Sequence, residues 1–184
     1  MGWKRMRSRE NLRRILKGQL LKGDTTLTSG KQRHYYIDCR PLVLDPFARV
    51  IITSQLAQVL TRVFTIIPCK DFDGVGGPTF SGALMAVAFA NLIAPYSLVV
   101  PFAYHTTKHQ LIVPESKILN VVLVDDVLST GGTLVEMYKK CVEYGFNVKA
   151  AAVIIDREEP ESQEMRQLFP ILSIFTAREI NDEV

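Results

Sequence analysis

The chain has 184 residues, 47% of them hydrophobic, and 22 basic against 19 acidic side chains leave it a formal charge of +3. That length suits one buried core in a single domain, residues 1–184, and so small a charge excess makes no case for a nucleic-acid partner. No run approaches the roughly 18 uncharged apolar residues of a membrane span, no apolar signal-type segment follows the N-terminal charges, and Cys39, Cys69 and Cys141 are too scattered for a metal or disulfide framework. A reducing, cytoplasmic setting is expected.

The first local feature is a basic cluster of Lys4, Arg5, Arg7, Arg9, Arg13, Arg14 and Lys17 around Glu10. It reads either as the solvated face of a helix or as an arm for phosphate or RNA. Ser8 to Leu21 sets Leu12, Ile15, Leu16 and Leu20 at helical spacing. A polar, glycine-containing stretch then leads to Tyr35, Tyr36 and Ile37. Asp45 and Pro46 predict a helix to Thr61, with Asp45 as N-cap and Pro46 in the first position. Beyond it, "FTIIP" and "FDGVGGP" flank a short strand candidate, "GALMAVAFANLI" reads as a buried helix and "YSLVVPFAY" as a strand. "NVVLVDD" is a strand, "TLVEMYKKCVEYG" a helix ending at Gly145, and "VKAAAVIID" a strand. Continuous Val, Ile and Leu runs, rather than strict alternation, suggest strands covered on both faces. The fold class is α/β, a mostly parallel sheet flanked by helices.

In such sheets ligands collect at the carboxyl ends of strands. Asp125 and Asp126 stand there, followed at once by Ser129, Thr130, Gly131, Gly132, Thr133 and a helix. Carboxylates accept hydrogen bonds from hydroxyl groups or from hydrated magnesium, and adjacent strand residues point apart, so the two acids serve two oxygens or one ligand and one structural partner. Small residues before a helix N-terminus let backbone N–H groups converge on a phosphate. Acids for hydroxyls and amides for phosphate describe a ribose 5-phosphate. The plainer alternative is an ordinary strand-turn-helix connection with polar capping residues.

The stretch "VVLVDDVLSTGGT" resembles the phosphoribosyl diphosphate signature of type I phosphoribosyltransferases. The resemblance implies that Asp125 and Asp126 hold the ribose hydroxyls while Val127, Leu128 and the loop to Thr133 wrap the 5-phosphate. "LTSGKQRHYYIDCR", "GGPTFSGALMA" and "VIIDREE" are similar, in the same order, to segments of orotate phosphoribosyltransferases. By that resemblance the fold carries a small N-terminal hood, and the reaction moves a phosphoribosyl group to orotate, giving orotidine 5-phosphate and diphosphate. Arg157 is implied to hold the orotate carboxylate, with Tyr36, Thr28 and Thr130 near the base. Ser81, Lys108 and His109 are implied on the diphosphate side. The family further implies magnesium carried by the substrate rather than by protein ligands, and a homodimer in which a loop, here Ala103 to Ser116, closes over the neighbouring site.

Certain positions depart from the family pattern. Tyr104 and His105 replace an Arg-Lys pair, Thr28 stands where lysine commonly precedes the Ser-Gly turn, and Ser81 stands where many members have lysine. These leave two further readings: a phosphoribosyltransferase for another base, or a sensor of the same fold that binds the ligand without turning it over. For Arg157 the plainer reading is a surface salt bridge to Glu158 or Glu159.

Overall fold

The computed structural model describes residues 9–26, 32–66, 69–95, 99–105, 107–113 and 118–181. The central layer is a six-stranded sheet built on one long strand, β6 (Asn120–Leu128). Its neighbours are β3 (Gly74–Gly77) on one side and β7 (Asn147–Asp156) on the other, both parallel to it. Beyond β3 come β4 (Val100–His105), parallel, and β5 (Gln110–Ile112), antiparallel; beyond β7 comes β8 (Ile171–Thr176), parallel. The order β5-β4-β3-β6-β7-β8 sends the chain outward in opposite directions from β3 and β6. The junction of those two strands is therefore the switch point at which such sheets open a crevice.

Strand periodicity explains the two cores. Val122 and Val124 of β6, with Ala152 and Ile154 of β7, join Ile52, Leu56 and Phe89 on one side of the sheet. Val121 and Leu123, with Ala151 and Val153, join Phe102, Met137 and Cys141 on the other. Both faces of these strands are covered, which is why their sequences are continuously apolar.

The predicted helices form, but the first stops at Gly18, so that Leu20 and Leu21, read as its continuation, fall in a strand instead. α1 (Arg9–Gly18) buries Leu12 and Leu16, and α2 (Arg40–Leu44) is one short turn after Cys39. α3 (Pro46–Leu60) starts where expected, with Asp45 Oδ1 accepting the N–H groups of Phe47 and Ala48 at 2.9 and 2.7 Å. α4 (Phe80–Ile93) and α5 (Gly132–Glu143) are the crossovers after β3 and β6. α6 (Gln163–Leu168) and α7 (Ala177–Ile180) lie near the C-terminal end, in a stretch the sequence reading left without elements. β1 (Leu20–Thr26) and β2 (Gln32–Ile37) pair antiparallel as a separate two-stranded hood.

Two further expectations need correction. The short strand near Phe72 is the glycine-rich segment Gly74–Gly77 itself rather than residues between flanking loops. It is glycine-rich because α4 presses against it: a Cβ on Gly77 would stand 1.9 Å from the backbone carbon of Gly82. The stretch from Ala103, expected as a loop, is largely the tight β4–β5 hairpin, with Ala103 paired to Ile112 and His105 to Gln110.

Part of the basic N-terminal cluster turns inward. Arg9 Nη2 donates to the Ile174 carbonyl at 2.8 Å and Arg13 Nε to the Glu179 carbonyl at 2.6 Å, so two of its arginines fasten α1 to the C-terminal elements. Lys4, Arg5 and Arg7 lie outside the described residues. Among the described residues no helix is long and apolar enough to cross a membrane.

Candidate active site

Valines and leucines with no exposed surface carry β6 through the core and deliver Asp125 and Asp126 at its carboxyl end. The two acids meet different surroundings. Asp125 is buried, and its Oδ1 accepts the Thr79 hydroxyl at 2.6 Å and the Asp126 N–H at 3.0 Å. Burial, with the neighbouring Asp126 charge adding to it, pushes the Asp125 carboxyl up to about 8, against the opposing Thr79 hydroxyl. Asp126 is half-buried, and its Oδ1 accepts the Val127 N–H at 2.9 Å. Burial raises its carboxyl as well, while the Ser81 hydroxyl beside it pulls the other way. Of the alternatives for an acid pair, this is one outward-facing acid and one braced against the protein.

The chain then enters the candidate phosphate loop. The Leu128 carbonyl accepts the Arg157 N–H at 2.9 Å, prolonging the pairing of β6 with the chain after β7. Gly131 adopts a φ of +84°, a left-handed value that glycine takes without steric cost, and a Cβ there would also stand 3.1 Å from the Met165 methyl. Helix α5 begins at the next residue with no side-chain cap, whereas Asp45 caps α3 and Thr79 caps α4 through the Gly82 N–H at 2.9 Å. An uncapped N-terminus presents several N–H groups and the positive end of the helix dipole to whatever lies before it.

Before it lies a cleft of about 410 Å³, lined by the run Asp125 to Leu134 together with Ile37, Glu136 and Arg157. The structure thus brings Asp125, Asp126, Val127, Leu128, Ser129, Thr130, Gly131, Gly132, Thr133 and Arg157 together around one space. Arg157 does not make the surface salt bridge of the plainer reading: it pairs with Glu159 at 3.2 Å with both side chains buried. Ser81, also buried, stands behind Asp126 rather than on the cleft wall. Thr28 lies outside the described residues, and Tyr36 is described only through its backbone place in β2.

Lys108 and His109 are not brought to this cleft. They occupy the exposed tip of the β4–β5 hairpin, where the Lys108 N–H donates to His105 Nδ1 at 3.3 Å and His109 Nδ1 is 3.0 Å from the Tyr104 hydroxyl. Burial raises the Tyr104 hydroxyl pKa, and the Glu136 carboxylate on α5 adds to that rise, so Tyr104 faces both the hairpin tip and a residue of the cleft wall.

Four residues at the site, Thr79, Leu134, Ile37 and Glu136, escaped the sequence reading. Thr79 had a visible signal, a threonine three residues before Gly82 at the start of an apolar helix, which is the pattern of an N-cap. Ile37 and Glu136 had none, since each reaches the cleft from an element whose placement only the fold supplies. Among the described residues no group of three or more His, Cys, Asp or Glu gathers as a metal site.

No protein-family model matches the chain. It is 32% identical over 164 residues to the orotate phosphoribosyltransferase of Methanopyrus kandleri, covering 87% of this chain and 84% of that one. It is 34% identical over 167 residues to the orotate phosphoribosyltransferase of Saccharolobus solfataricus, covering 90% and 82%. The crystal structure of orotate phosphoribosyltransferase from Aeropyrum pernix superposes with a TM-score of 0.78 over 94% of this chain and 98% of that one, at 24% identity. Since sequence relatives above 30% identity span most of both chains and the sheet order, acid pair and uncapped α5 fall where the signature requires, the chain belongs to the orotate phosphoribosyltransferase family.

Proposed function

We propose that the cleft binds phosphoribosyl diphosphate and orotate and transfers the phosphoribosyl group to the pyrimidine, releasing diphosphate and orotidine 5-phosphate. The observation that carries this reading is the direct passage from the acid pair of β6, through left-handed Gly131, into the uncapped N-terminus of α5. In this reading the loop from Ser129 to Thr133 and the first turn of α5 take the 5-phosphate. Asp126, the more open acid, accepts the ribose hydroxyls, and Asp125 fixes the strand end behind it. Arg157 offers a planar fork of donors to the orotate carboxylate, while Thr130, Tyr36 and Thr28 border the base.

Transfer develops positive charge on the sugar and negative charge on the departing diphosphate. The protein's part is to align the base nitrogen with the anomeric carbon and to place carboxylates near the sugar. Asp126, a hard oxygen donor open at the end of β6, fits magnesium held mainly by substrate oxygens and water; that ion would offset the diphosphate charge. Lys108 and His109 are assigned to the diphosphate of a neighbouring copy in a homodimer. Their exposure at the hairpin tip, away from this chain's own cleft, supports that assignment.

The test is consumption of phosphoribosyl diphosphate with orotate, uracil, adenine or hypoxanthine as acceptor, with and without magnesium. Diphosphate release that depends on both orotate and magnesium is expected. Release with another base alone would reassign the acceptor, and tight binding with no release under any base would make the chain a sensor.

A further inference from the structure

Arg157 is paired before any substrate arrives. Its Nε lies 3.2 Å from Glu159 Oε1, with the two side chains 5% and 6% exposed. The turn after β7 builds this contact. Arg166 Nη2 donates to both Asp156 carboxylate oxygens at 2.7 Å, and Asp156 Oδ1 accepts the Glu158 N–H at 2.8 Å. Glu158 is thereby held at a φ of +54°, a left-handed value that glutamate seldom takes. The Ser162 hydroxyl and N–H then donate to the Glu159 carbonyl at 2.7 and 3.0 Å. Together these contacts fold the chain back so that Glu159 sits in the interior beside Arg157, instead of in water like Glu158.

We propose that Glu159 is a resident carboxylate that competes with the acceptor's own carboxylate for Arg157, and so sets both the affinity and the selectivity of the cleft for acidic pyrimidines. This rests on the reading of Arg157 as the group that meets orotate. A buried guanidinium requires a counter-charge, and Glu159 supplies it in the ligand-free protein. An arriving carboxylate therefore gains only the difference between two pairings, and it is repelled by Glu159 at short range in a medium that screens poorly. A neutral pyrimidine experiences neither effect. Neutralising Glu159 consequently favours acidic ligands alone. A purely scaffolding Glu159 has the opposite sign, because a loosened Arg157 would discriminate less well.

The measurement is the ratio of dissociation constants of uridine 5-phosphate and orotidine 5-phosphate by calorimetry on the full chain. The two ligands share the sugar phosphate and differ only in the carboxylate. In the Glu159→Gln variant this ratio is expected to rise by about tenfold, the scale of one desolvated charge pair. An unchanged or smaller ratio overturns the proposal. If the parent protein itself does not prefer orotidine 5-phosphate, the orotate reading of Arg157 fails instead. Should Glu159→Gln not fold, Glu159→Asp keeps the charge but withdraws it by one methylene, and a smaller rise is expected. The parent protein labelled with 15N-arginine gives an independent readout. The Arg157 Nε–H resonance, identified with Arg157→Lys, should move with orotidine 5-phosphate and not with uridine 5-phosphate; equal movement with both sinks the idea.

Discussion

The Thr79 hydroxyl donates to Asp125 Oδ1 at 2.6 Å while its oxygen accepts the Gly82 N–H at 2.9 Å. One side chain thus caps α4 and braces the acid at the end of β6. It joins β6 to the helix that leaves β3, the other strand of the switch point, and it leaves Asp126 as the acid that faces outward.

That bracing has a pH signature. Asp125 titrates near 8 in the folded chain against 3.8 for the free side chain. A carboxyl whose folded pKa is raised contributes its full stability below the unfolded pKa, and loses it as pH climbs through the folded pKa. Asn at this position can still accept the Thr79 hydroxyl and the Asp126 N–H, yet carries no charge at any pH. The stability of Asp125→Asn relative to the parent should therefore grow between about pH 4 and pH 8, by a few kcal/mol. Urea unfolding across that range checks it, and parallel curves would refute the buried, protonated acid.

Gly77→Ala probes the seat of α4. The added methyl would stand 1.9 Å from the Gly82 carbon and 2.4 Å from the Ala83 nitrogen, both backbone atoms, so no rotamer change can make room. The helix must withdraw from β3, taking Thr79 away from Asp125. A loss of about 3 kcal/mol or more is expected in chemical denaturation. An undiminished midpoint would show that the close approach of α4 to β3 is not required.

Tyr104→Phe removes only a hydroxyl, the one 3.0 Å from His109 Nδ1. The ring remains buried, so the core beneath the hairpin is preserved. What is lost is the tie that fixes the tip bearing Lys108 and His109. Turnover should fall about fivefold, the kinetic equivalent of about 1 kcal/mol, with little change in affinity for the 5-phosphate group. An equal loss in binding would place Tyr104 against the substrate rather than behind the hairpin.

Which parts of this design could be read from residue order follows from where each signal resides. β6, α3 and α5 were legible because their instructions are local: a run buried on both faces, Asp45 before Pro46, glycines before an amphipathic helix. The contiguous site run Asp125 to Thr133 was legible for the same reason. β3 was misplaced because three of its four residues are glycines and carry no side-chain pattern. Its strand character is imposed by neighbours, Phe102 on one side and α4 on the other. The hairpin was taken for a loop because β5 has only three residues, at the sheet edge. The partner of Arg157 was uncertain for a subtler reason. Glu158 and Glu159 are chemically alike, and only the backbone φ of Glu158, set by Asp156 and Arg166, decides which of them is turned inward.

Placing Lys108 at a hairpin tip outside this chain's cleft yields the sharpest test of assembly. If Lys108 acts on the site of a neighbouring copy, Lys108→Ala and Asp126→Asn damage opposite halves of a shared site. Each variant alone should be nearly inactive. Mixed in equal amounts and allowed to exchange subunits, half of the dimers contain one of each, and in each such dimer one site combines an intact Lys108 with an intact Asp126. Activity should then recover to about a quarter of the parent's. If Lys108 instead reaches the cleft of its own chain, every site in the mixture still lacks one group and no recovery occurs. Native mass spectrometry of the mixture, run beside the assay, resolves the mixed dimer from the two homodimers by mass and so shows that exchange has taken place; a flat result then counts against the shared site.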